Sequence, residues 1–127
     1  MNYDIAASSL TAFQVTPANA NTSTVTGSSV DIKDYVGEIG IIQDVGTVGG
    51  TNPTLNGKIQ ESLNGSTGWT DVSGAAFTEV TSTGNVQKLN LNTRSLSRYI
   101  RYVGTIAGSS PAFDLGVVGI GKAQASS

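Results

Sequence analysis

The sequence predicts an antiparallel β-sandwich of jelly-roll type with about seven or eight strands. Short runs rich in Val, Ile, Leu and Tyr recur at intervals of roughly ten residues, and clusters of Gly, Ser, Asn and Pro separate them. No window of about 11 residues carries a sustained apolar stripe at helical spacing. Since no helices are available to connect parallel strands, the strands are expected to pair antiparallel.

The order of apolar runs and breakers predicts the individual elements. The predicted strands before the C-terminal region are Thr11–Val15, Val36–Val45, Leu55–Leu63, Trp69–Val72 and Val86–Thr93. The predicted loops are Thr16–Ser29, with an edge strand near Val25, and the mobile segment Gly46–Thr54. Asn64-Gly65 predicts a tight turn, because both residues tolerate positive φ, and Thr93–Ser97 predicts one short helical turn.

The region Arg98–Gly121 is predicted to form a β-hairpin. Two apolar runs, Tyr99–Ile106 and Phe113–Ile120, flank the breaker segment Gly108–Pro111. The first run is apolar on both faces, which is typical of a central or covered strand. The predicted core faces, from period-two spacing, contain Ile39, Ile41, Val45, Leu55, Ile59, Leu63, Leu89, Leu91, Phe113, Leu115 and Val117, with Phe77 and Val80 tucked in beside them.

A length of 127 residues predicts a single domain. We expect a flexible N-terminal arm over residues 1–10, a β-sandwich over 11–122 and a frayed tail over 123–127. The N-terminus has no basic segment followed by an apolar run, so no signal peptide is expected. No window approaches the ~20 apolar residues of a membrane span.

Composition argues against several classes of function. The formal net charge is −2, and no run of like charge exists, so we expect neither nucleic acid nor membrane as a partner. The chain has no cysteine and no histidine, and it therefore lacks thiolate chemistry, the commonest general base and the commonest metal ligand. We predict a protein that is not an enzyme and takes no cofactor or metal.

The carboxylates form no convincing site in the sequence. Asp31 and Asp34 bracket Lys33, but the dense, alternating oxygen ligands of a calcium loop are missing. Glu61 and Asp71 are placed to face each other across the Asn64-Gly65 turn, which is also an ordinary surface arrangement. A hydrolase with a carboxylate pair is therefore the least favoured of three hypotheses.

Arg94, Arg98 and Arg101 cluster with Tyr99 and Tyr102 and form the candidate interaction site. Three interpretations are open: nucleic-acid binding, ion pairs with acids such as Asp114 or Glu38, and an intermolecular contact, because Arg and Tyr are enriched at interfaces.

Trp69, the only tryptophan, is predicted to plug the core at a strand start. An exposed sugar-binding platform is the alternative.

The segments Lys58–Val80 (KIQESLNGSTGWTDVSGAAFTEV) and Asn92–Gly121 (NTRSLSRYIRYVGTIAGSSPAFDLGVVGIG) resemble small virion proteins of tailed bacteriophages. Ser28–Gly46 fits the same pattern. The group resembles capsid cement, or decoration, proteins, which are jelly-roll modules that clamp neighbouring capsomers. The segment Arg98–Arg101 also resembles the sequences of discoidin-type sandwiches, but the flanking cysteines and loop-tip aromatics of that group are absent.

The resemblance implies a structural protein of the virion that binds the major capsid protein on the outer shell. It implies a homo-oligomer, dimer or trimer, made in the host bacterial cytoplasm. The alternative is a receptor- or carbohydrate-binding module of a phage tail or cell surface.

Overall fold

The computed structural model describes the backbone of residues 10–123 and the side chains of residues 22–122. The described residues form β1 (Leu10–Asn21), β2 (Val25–Thr26), β3 (Val30–Asp31), β4 (Tyr35–Ser62), β5 (Thr70–Ala76), β6 (Asn85–Asn92), a 3₁₀ turn (Thr93–Ser95) and β7 (Tyr99–Ala123). The predicted all-β class is confirmed, as is the short helical turn after β6. No helix within the described residues is long or apolar enough to span a membrane.

Two very long strands form the centre of the molecule. β4 has 28 residues and β7 has 25, and they pair antiparallel from Tyr35 opposite Ala123 to Ser62 opposite Tyr99. Irregularities in register interrupt this ribbon around residues 45–54 of β4, opposite residues 107–115 of β7. The ribbon therefore has two halves, and each half pairs with a different set of outer strands.

The pairing on either side of the ribbon gives two layers, one of four strand segments and one of five. In the first layer the order is β6, the first half of β4, the second half of β7, and β1. In the second layer the order is β5, the second half of β4, the first half of β7, and then β2 and β3. A long antiparallel ribbon folded so that both halves face each other is the jelly-roll arrangement, which confirms the predicted architecture.

Glycines shape the corner where the ribbon bends. Gly50 has φ +102°, and a Cβ there would lie 2.5 Å from the carbonyl oxygen of Ser110. Gly108 has φ +122°, and a Cβ there would lie 2.7 Å from the carbonyl oxygen of Asn52. The two strands approach so closely at this corner that each needs a residue without a side chain opposite the other.

This corner overturns two predictions. The prediction of a hairpin over Arg98–Gly121 is wrong. Gly108–Pro111 bends a continuous strand, and the two flanking runs pair with β4 instead of with each other. The mobile loop Gly46–Thr54 is also wrong, because that segment stays within β4 and pairs with β7 through Val48, Gly49, Thr51 and Thr54. Glycine and proline here mark irregular strand geometry rather than a reversal.

The core lies between the inner faces of the two layers and forms one cluster. Its buried apolar members are Ile32, Ile39, Ile41, Val45, Leu55, Ile59, Ala75, Phe77, Val80, Leu91, Ile100, Tyr102, Ile106, Phe113, Leu115 and Val117. Most of the predicted core is confirmed, and Leu89 packs partly buried against the cluster. Leu63 is an exception, since 84% of its surface is exposed.

The N-terminal region is more regular than predicted. The strand predicted at Thr11–Val15 continues as β1 to Asn21, so the first part of the predicted loop Thr16–Ser29 is strand, with register shifts between Gln14 and Asn19. The edge strand at Val25 is confirmed. β1 begins at Leu10 and β7 ends at Ala123. The rest of the predicted arm, residues 1–9, and of the predicted tail, residues 124–127, lies outside the described residues.

Candidate interaction surface

The second layer carries three of the predicted site residues on or beside its outer face. Arg98 is exposed, and Tyr99 and Arg101 are half-buried. Arg94 lies in the 3₁₀ turn after β6, is exposed, and forms no ion pair with a described residue. Tyr102 is a correction to the predicted site: its side chain is completely buried in the core, so it offers no surface to a partner.

Arg98 forms a forked ion pair with Asp31. The Nη2–Oδ2 distance is 2.8 Å, and Nε donates to both carboxylate oxygens at 3.1 Å. The hydrogen bond from Arg98 lowers the pKa of Asp31 and raises that of Arg98. The guanidinium also lies 5.1 Å from the centre of the Tyr99 ring. Of the three clustered arginines, Arg98 alone pairs with an acid among the described residues, and its partner is Asp31 rather than Asp114 or Glu38.

Arg101 is held differently, by an aromatic ring and a neutral amide. Its guanidinium carbon lies 4.4 Å from the centre of the Trp69 ring, and its Nε donates to Gln60 Oε1 at 2.9 Å. Trp69 is only half-buried and stands outside the core cluster, so the predicted core plug is wrong. The stacking orients Arg101 by cation–π attraction without neutralising its charge.

Arg101 belongs to a row of polar side chains across three strands, Lys58, Gln60, Asp71 and Arg101, here called the polar ladder. Gln60 lies opposite Arg101 on one side and opposite Asp71 on the other. Its Nε2 donates to Asp71 Oδ1 at 2.9 Å, and Lys58 Nζ donates to Asp71 Oδ2 at 3.1 Å. The ladder joins β5, β4 and β7 on the solvent side of the second layer.

The pKa of Asp71 reports on the ladder and should be measurable by NMR titration. The hydrogen bond from Gln60, followed by that from Lys58, holds this pKa below its usual value of 3.8. We expect Gln60→Ala to raise it, because one donor to the carboxylate is lost. Lys88→Ala, in the first layer, should leave it unchanged, and equal shifts in both variants would contradict the ladder.

The sign of the linked effect on stability follows from the lowered pKa of Asp71. The ionised carboxylate favours the folded state above the pKa of the unfolded chain, and this contribution is lost as the pH falls through the folded pKa. In Gln60→Ala the loss should begin at higher pH.

The loop between β4 and β5 is built by two side chains. Ser62 Oγ accepts from the backbone N–H groups of Asn64 and Gly65 and donates to the carbonyl of Thr67. Asn64 Oδ1 accepts from the N–H groups of Ser66 and Thr67, both at 2.9 Å. The predicted tight turn at Asn64-Gly65 is thus part of a longer, internally bonded loop, and Gly65 has φ +76°. Such bonding orders the loop before any partner arrives.

Glu61 and Asp71 form separate hydrogen bonds. Glu61 Oε1 accepts from the backbone N–H of Ser97 at 2.7 Å. In the pairing of β4 with β5, Glu61 lies opposite Thr70 rather than Asp71. Neighbouring residues of a strand point to opposite faces, so Glu61 and Asp71 do not face each other as predicted. The described residues contain no group of three or more Asp or Glu placed to hold a metal ion.

Sequence reasoning missed Gln60 as a member of this surface and missed the exposure of Leu63. The signal for Gln60 was present, since it alternates with Ile59 on the polar face of a clear strand, and the hairpin places it near Asp71. The exposure of Leu63 had no such signal, because its spacing from Ile59 continues the core pattern. The Ser62 bonds redirect the chain at that point.

Comparisons with known proteins show a similarity of fold. No family model and no curated protein matches the sequence. A chain in the structure of infectious bursal disease virus, Gx strain, is similar with a TM-score of 0.62 and 14% identity over 91% of this chain and 32% of that chain. This chain thus spans about a third of that chain's length. The SPBc2 prophage-derived protein YomS is similar with a TM-score of 0.49 and 13% identity over 90% of this chain and 93% of that chain. At 14% identity, what the viral chain shares with this one is the fold.

Proposed function

We propose that this chain is a non-enzymatic structural protein of a phage particle that binds the assembled capsid shell as a cement protein. Its partner is the major capsid protein, and it acts on the outer surface of the virion as a dimer or trimer without a cofactor. The observation that carries the proposal is the ordered Arg–aromatic surface on the outer face of the second layer, where Arg101 stacks on Trp69.

Two arguments support this proposal. Arg, Trp and Tyr dominate the energetics of protein interfaces when they are held in place by their neighbours. The jelly roll occurs in viral capsid domains as well as in lectins and cupins, so the fold permits the function without assigning it. Many weak contacts repeated over a shell add avidity, which suits a small chain of low charge.

The alternative is a receptor- or carbohydrate-binding module of a phage tail or cell surface. Trp69 is half-buried beside the hydrogen-bonding side chains of Gln60 and Asp71, a combination that also suits sugar binding. One face of the Trp69 indole is already stacked against Arg101, which leaves less aromatic surface for a sugar. We therefore favour the capsid.

The test is the number of copies in purified native particles. Cement function predicts copies in proportion to the major capsid protein, whereas a tail module predicts a few copies per particle. Isolated protein should also bind particles assembled without it, and the affinity should fall only weakly between low and moderate salt, because charges are sparse. Failure of the wild type to bind particles, together with binding to a glycan array, would move the assignment to the alternative.

Two variants test the surfaces. The predicted N-terminal arm is a second candidate contact, since a loose segment can order against a neighbour. Arg101→Ala, or deletion of residues 1–10, should lower occupancy on particles while leaving the β-dominated circular dichroism spectrum intact. Arg94→Ala is the control for Arg101, because Arg94 is an exposed arginine that lies outside the stack. Unchanged occupancy in both test variants would remove these surfaces from the proposal.

A further inference from the structure

We infer that two copies of this chain form a two-fold symmetric dimer through the outer faces of their first layers. In this dimer Ile120 of each copy packs over Gly40 of the other. The inference rests on the proposed function, in which the chain is a dimer or trimer, and it specifies the surface and the symmetry. It is tested on the isolated protein, so it can fail while binding to the capsid stands.

The outer face of the first layer carries three adjacent apolar side chains, Ile42, Val118 and Ile120, here called the outer patch. Alternation along the strands places them outside, because their neighbours Ile41 and Val117 are buried in the core. Ile42 lies directly opposite Val118, and Ile120 is the next residue of β7 on the same face. All three are half-buried, and none of them packs against the core cluster. They therefore leave apolar surface available on the side away from the core.

Gly40 makes a shallow recess beside the outer patch. It lies on the same face, directly opposite Ile120 in β7 and Asn90 in β6. The recess has a volume of about 260 Å³, and its lining includes Ile120, Asn90 and Lys88. A Cβ on Gly40 would lie 3.7 Å from Cδ and Cε of Lys88, so the aliphatic part of that side chain forms one wall. The recess therefore offers an apolar side chain a place between Ile120 and the stem of Lys88.

The fold of a single copy does not require glycine at position 40. A Cβ on Gly57 or on Gly104 would lie 2.8 Å from the Tyr102 ring, whereas a Cβ on Gly40 would meet its neighbours at an ordinary 3.7 Å. Gly40 does not have a positive φ, and its pairing with β6 and with β7 is regular. Glycine weakens a strand, and in a strand without a bulge it fits the close approach of another molecule.

Two-fold symmetry makes the outer patch and the recess complementary. Let two sheets pack face to face about an axis that is parallel to the strands and midway between β4 and β7. Each residue of β4 then faces the opposite residue of β7 in the other copy. Ile120 of each copy fills the Gly40 recess of the other, and Ile42 meets Val118. The surface that fits the recess is thus one that the chain itself carries.

The charges at the rim fit the same axis. Glu38 and Lys122 lie two residues beyond Gly40 and Ile120, at one end of the outer patch. Both are exposed, and neither forms an ion pair with a described residue. The axis brings Glu38 of each copy to Lys122 of the other, which gives two complementary pairs. At the other end the two copies of Asp44 approach each other, so the sheets should diverge there, as twisted sheets do.

The experiment measures the mass of the isolated protein by analytical ultracentrifugation over a dilution series. The wild type should show a monomer–dimer equilibrium. Gly40→Val should fill the recess and weaken the dimer about tenfold, although the monomer has room for the new Cβ. Ile120→Ser should weaken it by a similar factor. Val103→Ser is the matched control, because Val103 is also half-buried in β7 but lies on the outer face of the second layer.

A charge reversal separates a contact between copies from a structural effect. Glu38→Lys and Lys122→Glu should each weaken the dimer about tenfold, because each brings two pairs of like charges together. The double variant should recover the dimer, and a purely structural role of either residue would not produce that recovery. The circular dichroism spectrum should stay β-dominated in every variant.

Several results would overturn the inference: a wild type that stays monomeric at the highest concentration, a trimer, or a dimer that none of the test substitutions weakens. Deletion of residues 1–9 should leave the dimer intact. A dimer that is lost, or that forms only after this deletion, would overturn the inference in favour of a contact made by that segment. Particle binding by a monomeric wild type would overturn this inference alone, and absence of particle binding by a dimeric wild type would overturn the proposed function alone.

Discussion

Replacing Leu115 with alanine is expected to lower the free energy of unfolding by about 2–5 kcal/mol. Leu115 is 1% exposed and lies in the core cluster between Phe113 and Val117 on the inner face of the first layer. The truncated side chain leaves a cavity in a core formed between two sheets whose strands cannot easily move together, because the β4–β7 ribbon ties both layers to one corner. Urea unfolding followed by circular dichroism measures the change.

The control for Leu115 is Asn56→Ala. Asn56 is exposed and donates one hydrogen bond to Glu79 at 3.0 Å, so its loss should change the free energy of unfolding by less than about 0.5 kcal/mol. The slope with urea should be the same for both variants, which shows that the comparison concerns the folded state. Equal costs for the two substitutions would contradict the assignment of inner and outer faces.

Period-two spacing predicted the inner faces well, because burial on one side of a strand leaves a direct mark on the sequence. Phe113, Leu115 and Val117 were predicted together and are buried together. The same spacing failed at Leu63, where the pattern continues but the strand ends. A local pattern reports which residues could share a face, and side-chain bonds such as those of Ser62 decide where the face stops.

The long ribbon could not be predicted from the same signals. Gly, Ser and Pro residues mark a reversal and a strand corner alike, since both need positive φ or a close approach of backbones. What distinguishes them at Gly50 and Gly108 is the partner strand, which comes from a segment more than fifty residues away. Pairing over that distance leaves no mark on either segment alone.

The candidate surface was predicted in part. The cluster from Arg94 to Tyr102 drew attention to the start of β7, and alternation along it could separate Tyr102, which points inward, from Arg101, which does not. The stack of Arg101 on Trp69 depends on β5 and β7 lying on either side of β4, so it required the topology.

Tyr102 and Gln43 form the main polar contact inside the core. The Tyr102 hydroxyl donates to Gln43 Oε1, and both side chains are completely buried. Gln43 comes from the first layer and Tyr102 from the second, so this bond joins the two inner faces. Glycines make room for it: a Cβ on Gly57 or on Gly104 would lie 2.8 Å from the Tyr102 ring. Burial raises the pKa of Tyr102, which keeps the phenol protonated as a donor.

We expect Tyr102→Phe and Gln43→Leu each to lower the free energy of unfolding by about 1–3 kcal/mol, because each leaves a buried polar group without its partner. Gln43 Nε2 has no partner among the described residues, so in Tyr102→Phe the whole amide would be unsatisfied. The double variant should cost less than the sum of the single changes, since it removes both polar groups from the core. Urea unfolding of all four proteins completes the cycle. A double variant equal to the sum would show that the two side chains are not coupled, and the layers would then be held in register by apolar packing and the ribbon corner alone.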